Sequence, residues 1–169
     1  IRKQFNKDFV SLMPTNLYGP FDNFDLKTSH VVPAMIRKFH EAKKNNNSDV
    51  ILWGSGSVMR EFLYVDDLAN AVVFILEKEN KEYLYNVGYG TDITIKELAK
   101  KIQFQVGHKG QIKWDCSKPD GTSRKLMDSS KINQLGWKPK YNLEQGIVKT
   151  YSWFIKNKNK LKKVNFKNI

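Results

Sequence analysis

Short apolar runs that alternate with helix-period segments predict an α/β fold for this chain. Three observations carry that prediction. Runs such as Val50–Trp53 and Tyr83–Val87 have the length of strands and end at glycine. Val32, Met35, Ile36 and Phe39, and again Leu68, Ala71, Val72, Ile75 and Leu76, recur at a 3.6-residue period that gives a helix one apolar face. Two capping boxes, Thr94 with Glu97 and Asn142 with Gln145, mark where further helices open.

Taken in order, Phe9–Leu12 is an apolar run between Asp8 and Pro14 and predicts a buried strand. The Gly-, Pro-, Asp- and Asn-rich stretch from Tyr18 to Ser29 is a loop. A helix opens near His30, with Pro33 tolerated in its first turn because that N–H has no intrahelical partner. Val50–Trp53 is a second strand, closed by Gly54-Ser55-Gly56. Glu61–Val65 alternates as a short strand. Asp66 and Asp67 then begin a helix, where paired acids suit capping and the helix dipole. Tyr83–Val87 leaves through Gly88-Tyr89-Gly90, and the helix capped by Thr94 follows. After a strand over Gln111–Trp114 come the polar loop Asp115–Arg124, a short helix around Ser130–Leu135 and a longer helix from Leu143.

The 169 residues are 40% hydrophobic and include four tryptophans, which argues for one domain with a real core and against disorder. No apolar stretch approaches the ~20 residues needed to cross a bilayer, so no membrane partner is expected. The single cysteine, Cys116, rules out a disulfide framework within the chain. It fits a reducing compartment, and no apolar leader follows the polar first residues, so a cytoplasmic location is the expectation. The chain opens on Ile1 and not on Met, and reads as a piece of a longer protein. The net charge of +12 suggests a nucleic-acid binder. Much of the excess, however, sits among asparagines in Lys156–Lys167 and at Lys43-Lys44, in the manner of solvated helix ends and a tail. No zinc-finger spacing or aromatic RNA-binding pattern accompanies it, so no nucleic-acid partner is expected.

Several residues invite a chemical role. Arg60 lies just before a buried strand and after a Gly-Ser-Gly loop, where a guanidinium can present a planar fork to phosphate oxygens. Composition alone favours a salt bridge to Glu61 or Asp66. Trp53, at a strand end beside glycines, can stack on a flat ring or fill the core. His40 and His108 read as structural or exposed. His30 differs, because a helix N-terminus disfavours the imidazolium and can hold such a histidine neutral or poised to exchange a proton. Asp120 is a turn residue by local rules, and Lys38 lies on the polar face of its helix.

The runs Pro14-Thr15-Asn16-Leu17-Tyr18-Gly19-Pro20, Ser29-His30-Val31-Val32-Pro33, Trp53-Gly54-Ser55-Gly56 and Arg60-Glu61-Phe62-Leu63-Tyr64-Val65-Asp66-Asp67, with Lys118-Pro119-Asp120-Gly121, together resemble the C-terminal half of the GDP-L-fucose synthases, a branch of the extended short-chain dehydrogenases/reductases. The resemblance covers about Asp8 to Asn157. It implies a substrate-binding lobe with one or two Rossmann-edge strands over residues 1–157 and a basic Lys/Asn tail over 158–169. The dinucleotide-binding domain is expected upstream, since neither a glycine-rich fingerprint nor a Tyr-x-x-x-Lys pair lies ahead of Pro14. The implied activity is 3,5-epimerisation of GDP-4-keto-6-deoxy-D-mannose followed by NADPH-dependent reduction of the C4 ketone. This chain alone is expected to be inactive.

By the same resemblance, His30 is the acid in epimerisation, opposite a cysteine base upstream of Ile1; Cys116 is not that cysteine. Pro14, Thr15, Asn16, Leu17 and His30 lie on the nicotinamide side of NADP, which is held mainly by the upstream half. Arg60 contacts the diphosphate, Trp53 lines the nucleotide-sugar site and Asp120 holds a hydroxyl-bearing part of the substrate. Lys38 stands where some relatives have a substrate-binding arginine; it keeps the charge and loses the fork. A homodimer is implied for the parent. The alternatives are another nucleotide-sugar epimerase or reductase of the same class, and a non-catalytic nucleotide-sugar binding module.

Overall fold

The computed structural model describes residues 2–78 and 82–161. A one-turn helix α1 (Arg2–Phe5) leads into strands β1 (Ser11–Pro14) and β2 (Asn16–Tyr18), and helix α2 (Val31–Lys44) follows a loop. Next come β3 (Val50–Trp53), β4 (Met59–Tyr64), α3 (Val65–Leu76), β5 (Leu84–Val87), β6 (Asp92–Thr94) and α4 (Ile95–Val106). The chain continues through β7 (Ile112–Asp115), β8 (Arg124–Lys125), α5 (Ser130–Gln134) and α6 (Leu143–Asn157), and a 3-10 turn spans Lys158–Lys160. The expected basic tail beyond residue 161 lies outside the described residues.

The strands form small sheets: β1 with β5 and β3 with β7, both parallel, and a third built around β4. The end of β4 pairs in parallel with β2, while its start pairs antiparallel with β6 and in parallel with β8. Side chains alternate faces along a strand, and β4 uses both. Phe62 and Tyr64 enter a core shared with Met35, Ile36, Phe39, Leu98, Ile102 and Phe154 from helices α2, α4 and α6. Leu63 enters a second core with Ala71, Ile75, Tyr85, Val87, Ile132 and Trp137. The alternation expected for this strand is therefore between two interiors, not between core and solvent.

Both capping boxes form. Thr94 accepts from the Glu97 N–H, and the Glu97 carboxylate accepts from the Thr94 N–H. Asn142 and Gln145 make the same exchange at α6. The acids at the start of α3 behave otherwise. Tyr64 is the N-cap and no side chain caps it. Asp67 is buried and accepts from the N–H groups of Lys140 and Tyr141, so it ties the approach to α6 onto α3 instead of capping its own helix.

The first strand also departs from expectation. It runs two residues later than Phe9–Leu12, and Phe9 (59% exposed) and Met13 (51%) face out. The reason is the pairing: β1 has β5 as its one ladder partner among the described residues, and packs on α3 over one face only. Sequence hydrophobicity marks the strand and cannot tell which face is covered.

Two consequences for stability can be measured. Gly146 in α6 packs against Tyr18, whose hydroxyl donates to the Leu143 carbonyl at 3.3 Å, and a β-carbon at Gly146 would lie 2.7 Å from the tyrosine Cζ. Alanine favours a helix interior by about 1 kcal/mol over glycine, but overpacking costs about 1–3 kcal/mol. Gly146→Ala should therefore lower the urea midpoint; a raised midpoint would show that α6 yields freely. The second concerns His40, whose Nδ1 lies 3.1 Å from the Tyr151 hydroxyl across the α2–α6 contact. Burial, then Lys158, hold its pKa below the ordinary histidine value. The unfolded chain therefore binds the proton more readily, and stability present above about pH 6.5 is lost as the pH falls below it. His40→Gln should flatten that dependence in urea titrations between pH 7 and 5.

Candidate functional site

A cleft of about 590 Å³ opens where the ends of β2, β3 and β4 meet the N-terminus of α2 and the return loop before β8. Thr15, Asn16 and Leu17 form one wall, and His30 with Val31 and Val32 a second. Trp53, Arg60, Phe62 and the Pro119-Asp120-Gly121 turn complete it. Sequence reasoning placed Thr15, Asn16, Leu17, His30, Trp53, Arg60 and Asp120 at a site, and the fold brings all of them to this one space. Pro14 and Lys38 are not among the lining residues.

Strand parity explains the two central side chains. Along β3, Val50 and Leu52 are buried whereas Ile51 and Trp53 face out, and Trp53 is 69% exposed. That burial pattern removes the core-filling role for Trp53, and since all four residues are apolar it is packing that decides which face is covered. Two ammonium groups lie near the indole, Lys38 Nζ at 6.0 Å and Lys118 Nζ at 5.8 Å from the ring centroid. Lys38 also donates to the Ile51 carbonyl at 3.0 Å, and burial lowers its pKa. It thus reaches the site through Trp53 and not as part of the wall.

Along β4, Arg60 shares the face of Phe62, so its side chain enters the cleft. One guanidinium N–H donates to the Met59 carbonyl at 2.6 Å. Among the described residues no carboxylate pairs with Arg60, so the salt bridge to Glu61 or Asp66 that composition favoured does not form. Nη2 stands against Gly121, 3.1 Å from where a β-carbon would sit. The remaining donors are a ready site for anionic oxygens.

The loop after β3 is fixed from across the cleft. The Asp120 carboxylate accepts from the Ser55 N–H at 3.0 Å and from the Ser55 hydroxyl at 2.6 Å. Those bonds hold its pKa below the ordinary carboxylate range. Gly54 and Gly56 take φ of +77° and +75°, and a β-carbon on either would run into Asp120 or the Trp114 ring. Asp120 is therefore an anchor as well as a wall; each of its oxygens still has a second lone pair to offer.

His30 is the N-cap of α2, with extended backbone (φ −72°, ψ 170°). Its side chain makes no capping bond and is exposed at the cleft. Asp22, which the sequence did not single out, lies within electrostatic reach. Burial raises its pKa, while the Asn23 N–H and His30 oppose the rise. Cys116 is exposed, with its thiol 3.8 Å from the Gly54 carbonyl, outside the lining residues. Among the described residues no cluster of His, Cys, Asp and Glu could hold a metal.

The chain is similar over nearly its whole length to known proteins. The model of the NAD dependent epimerase/dehydratase family matches residues 1–88. "Probable GDP-L-fucose synthase 1" of Oryza sativa subsp. japonica is 56% identical over 156 residues, which are 92% of this chain and 48% of that relative. "GDP-L-fucose synthase" of Escherichia coli (strain K12) is 48% identical over 169 residues, covering 95% of this chain and 53% of the relative. The solved structure of a GDP-L-fucose synthetase from Naegleria fowleri bound to NADP superposes with a TM-score of 0.86 at 31% identity, covering 92% of this chain and 49% of that one. The chain spans about half the length of the curated relatives it matches. With more than half of its residues matched by the family model, the chain belongs to the NAD dependent epimerase/dehydratase family.

Proposed function

We propose that the protein containing this chain converts GDP-4-keto-6-deoxy-D-mannose to GDP-L-fucose by inverting C3 and C5 and then reducing the C4 ketone with NADPH. Residues 1–157 are its substrate-binding lobe, residues 158–169 are a basic tail and the whole enzyme is a homodimer. The observation that carries this reading is the convergence on one cleft of an arginine with no carboxylate partner among the described residues, an outward tryptophan, an anchored aspartate and a histidine at a helix N-terminus. The two synthase relatives named above add to it.

Each residue has a role that its geometry suits. The Arg60 fork receives diphosphate oxygens. Trp53 offers an indole face to a flat ring, with Lys38 alongside. Asp120 accepts from a substrate hydroxyl through the lone pairs that Ser55 leaves. The 4-ketone acidifies the hydrogens on C3 and C5. Proton removal on one face and return on the other inverts each carbon, and His30 is the group that returns it. The wall from Thr15 to Leu17 suits the nicotinamide end of the cofactor. Thr15 and Asn16 turn their side chains onto the Glu61 carbonyl and Leu17 packs against the second core, so this wall offers chiefly main chain to the cleft. When bound, NADPH supplies the hydride for C4.

Arg60→Ala in the full-length enzyme should weaken GDP binding about ten- to hundredfold, the worth of a charge-assisted hydrogen bond. Titration calorimetry measures it, and an unchanged affinity in a folded variant would remove Arg60 from the diphosphate. His30→Asn should slow solvent deuterium incorporation at C3 and C5 by about 10²–10⁴-fold, the usual contribution of a positioned acid. Reduction of an already epimerised ketosugar should suffer far less. Wild-type exchange rates in the variant would show that another group delivers the proton.

A further inference from the structure

Glu61 is a fully buried carboxylate that the reaction above leaves unused (0% exposed). Among the described residues no cation pairs with it. By parity on β4 it points away from the cleft, to the face opposite Arg60 and Phe62. Its oxygens are taken by two separate segments. Oε1 accepts from the Gly90 N–H at 2.7 Å, and Oε2 from the Met127 N–H at 3.2 Å. Gly88 closes over it so tightly that a β-carbon there would lie 2.8 Å from the carboxyl carbon. Its main-chain carbonyl accepts from Thr15 Oγ1 at 3.3 Å and Asn16 Nδ2 at 2.8 Å.

A charge buried without a counter-ion is costly unless both oxygens are hydrogen-bonded, and an apolar side chain would fill the same volume without that cost. What the carboxylate holds is therefore informative. Met127 follows β8, whose ladder to β4 is two residues long, Met59 opposite Arg124 and Arg60 opposite Lys125. That strand ends the loop carrying Pro119, Asp120 and Gly121, the wall that faces the Arg60 guanidinium. A two-residue ladder is short of the usual strand length, and Glu61 fastens the same segment from the other face of β4.

We propose that Glu61 is a positioning residue for nucleotide-sugar binding: its carboxylate fixes Met127, and through β8 it sets the 119–121 turn at the register that faces Arg60. This rests on the function proposed above. Glutamate is needed because a glutamine accepts through one oxygen only and turns an NH2 group toward the other N–H. The bonds from Thr15 and Asn16 go to main chain and survive such a change, so the effect falls on the substrate side of the cleft and spares the cofactor side.

The test uses the full-length enzyme with Glu61→Gln, and Met127→Pro as a second variant that deletes the donated N–H and keeps the carboxylate. Both should raise the Kd for GDP and the KM for the ketosugar about tenfold, with kcat and the KM for NADPH within about twofold of wild type. If Glu61→Gln does not fold, Met127→Pro alone decides. A wild-type Kd for GDP in a folded variant overturns the proposal. So does an equal loss toward both substrates, which marks a merely structural residue. If the wild-type enzyme binds no GDP, the functional reading falls by itself. The anchoring is then read from hydrogen exchange: faster exchange of the Met127 amide in Glu61→Gln sustains it, and unchanged protection overturns it.

Discussion

Strand β4 carries the constraint on which the remaining elements depend, because its six residues serve two interiors, a cleft and three other strands at once. Parity fixes which residue does what. Arg60, Phe62 and Tyr64 share one face, Glu61 and Leu63 the other. A slip of one residue would exchange the faces, driving a guanidinium toward the second core and a leucine into the cleft. Such a slip is opposed on several sides. Asn16, Leu17 and Tyr18 register with Phe62, Leu63 and Tyr64. On the other flank Arg124 makes a two-pronged contact with Asp92, at 2.6 and 3.1 Å, and so joins β8 to β6 beside the start of β4. The arginine of this pair stays largely in solvent while the aspartate side chain is buried, and the two-pronged geometry specifies register.

The cleft follows from that arrangement with few further parts. Its walls come from strand ends and one helix N-terminus, where the chain must turn and main-chain groups are unpaired. Two of the turns are stiffened before any ligand arrives. Ser55 is held to Asp120 by main chain and side chain together, and Gly54 and Gly56 adopt positive φ that other residues resist. A site ordered in advance loses less conformational entropy on binding, which favours affinity without additional contacts. The arginine's charge is held differently from that of several nearby acids. Asp92, Asp49, Glu41 and Glu144 each have a basic partner, whereas Arg60 meets main chain alone among the described residues. A cation held without a counter-charge at the floor of a cleft is chemically arranged for an anion.

What could be read from the sequence was whatever depended on local chemistry. The capping boxes at Thr94 and Asn142, the helix from His30 and the strand Val50–Trp53 are decided by neighbours within a few positions, and they form as expected. The short strands β6 and β8 escaped because Asp92–Thr94 and Arg124–Lys125 carry no apolar pattern; their partners on β4 define them. Asp67 was misread for the same reason, since its acceptors face Lys140 and Tyr141, more than seventy residues away. In the site, the family-like runs named side chains that the fold brings to one cleft, Pro14 and Lys38 excepted, but nothing local announced Glu61. Its neighbours Gly90 and Met127 become neighbours only when the strands pair. Trp53 faces out because Val50 and Leu52 take the buried face of β3, and in an all-apolar Val-Ile-Leu-Trp run that choice is made by packing, not by local sequence.

The two interiors are unequal, and the inequality runs through the site. The core around α2, α4 and α6 is the larger and stacks aromatic rings, with Phe24, Trp153 and Phe154 in contact. The second core is smaller and bordered by outward Met13, Val73, Leu76 and Leu84 on β1, α3 and β5. β1 and β5 form a sheet of two strands, an arrangement that depends on cover from other elements. Thr15, whose N–H bonds to the Val87 carbonyl, leads from that sheet into the cleft wall beside Leu17. Trp53 and Arg60 extend from strands anchored in the larger core. The wall assigned to the sugar nucleotide is thus built on strands that pack into the larger core. The wall assigned to the nicotinamide begins at the two-stranded sheet, where Met13 and Leu84 stay exposed, and continues into β2, so it joins that sheet to the ladder on β4.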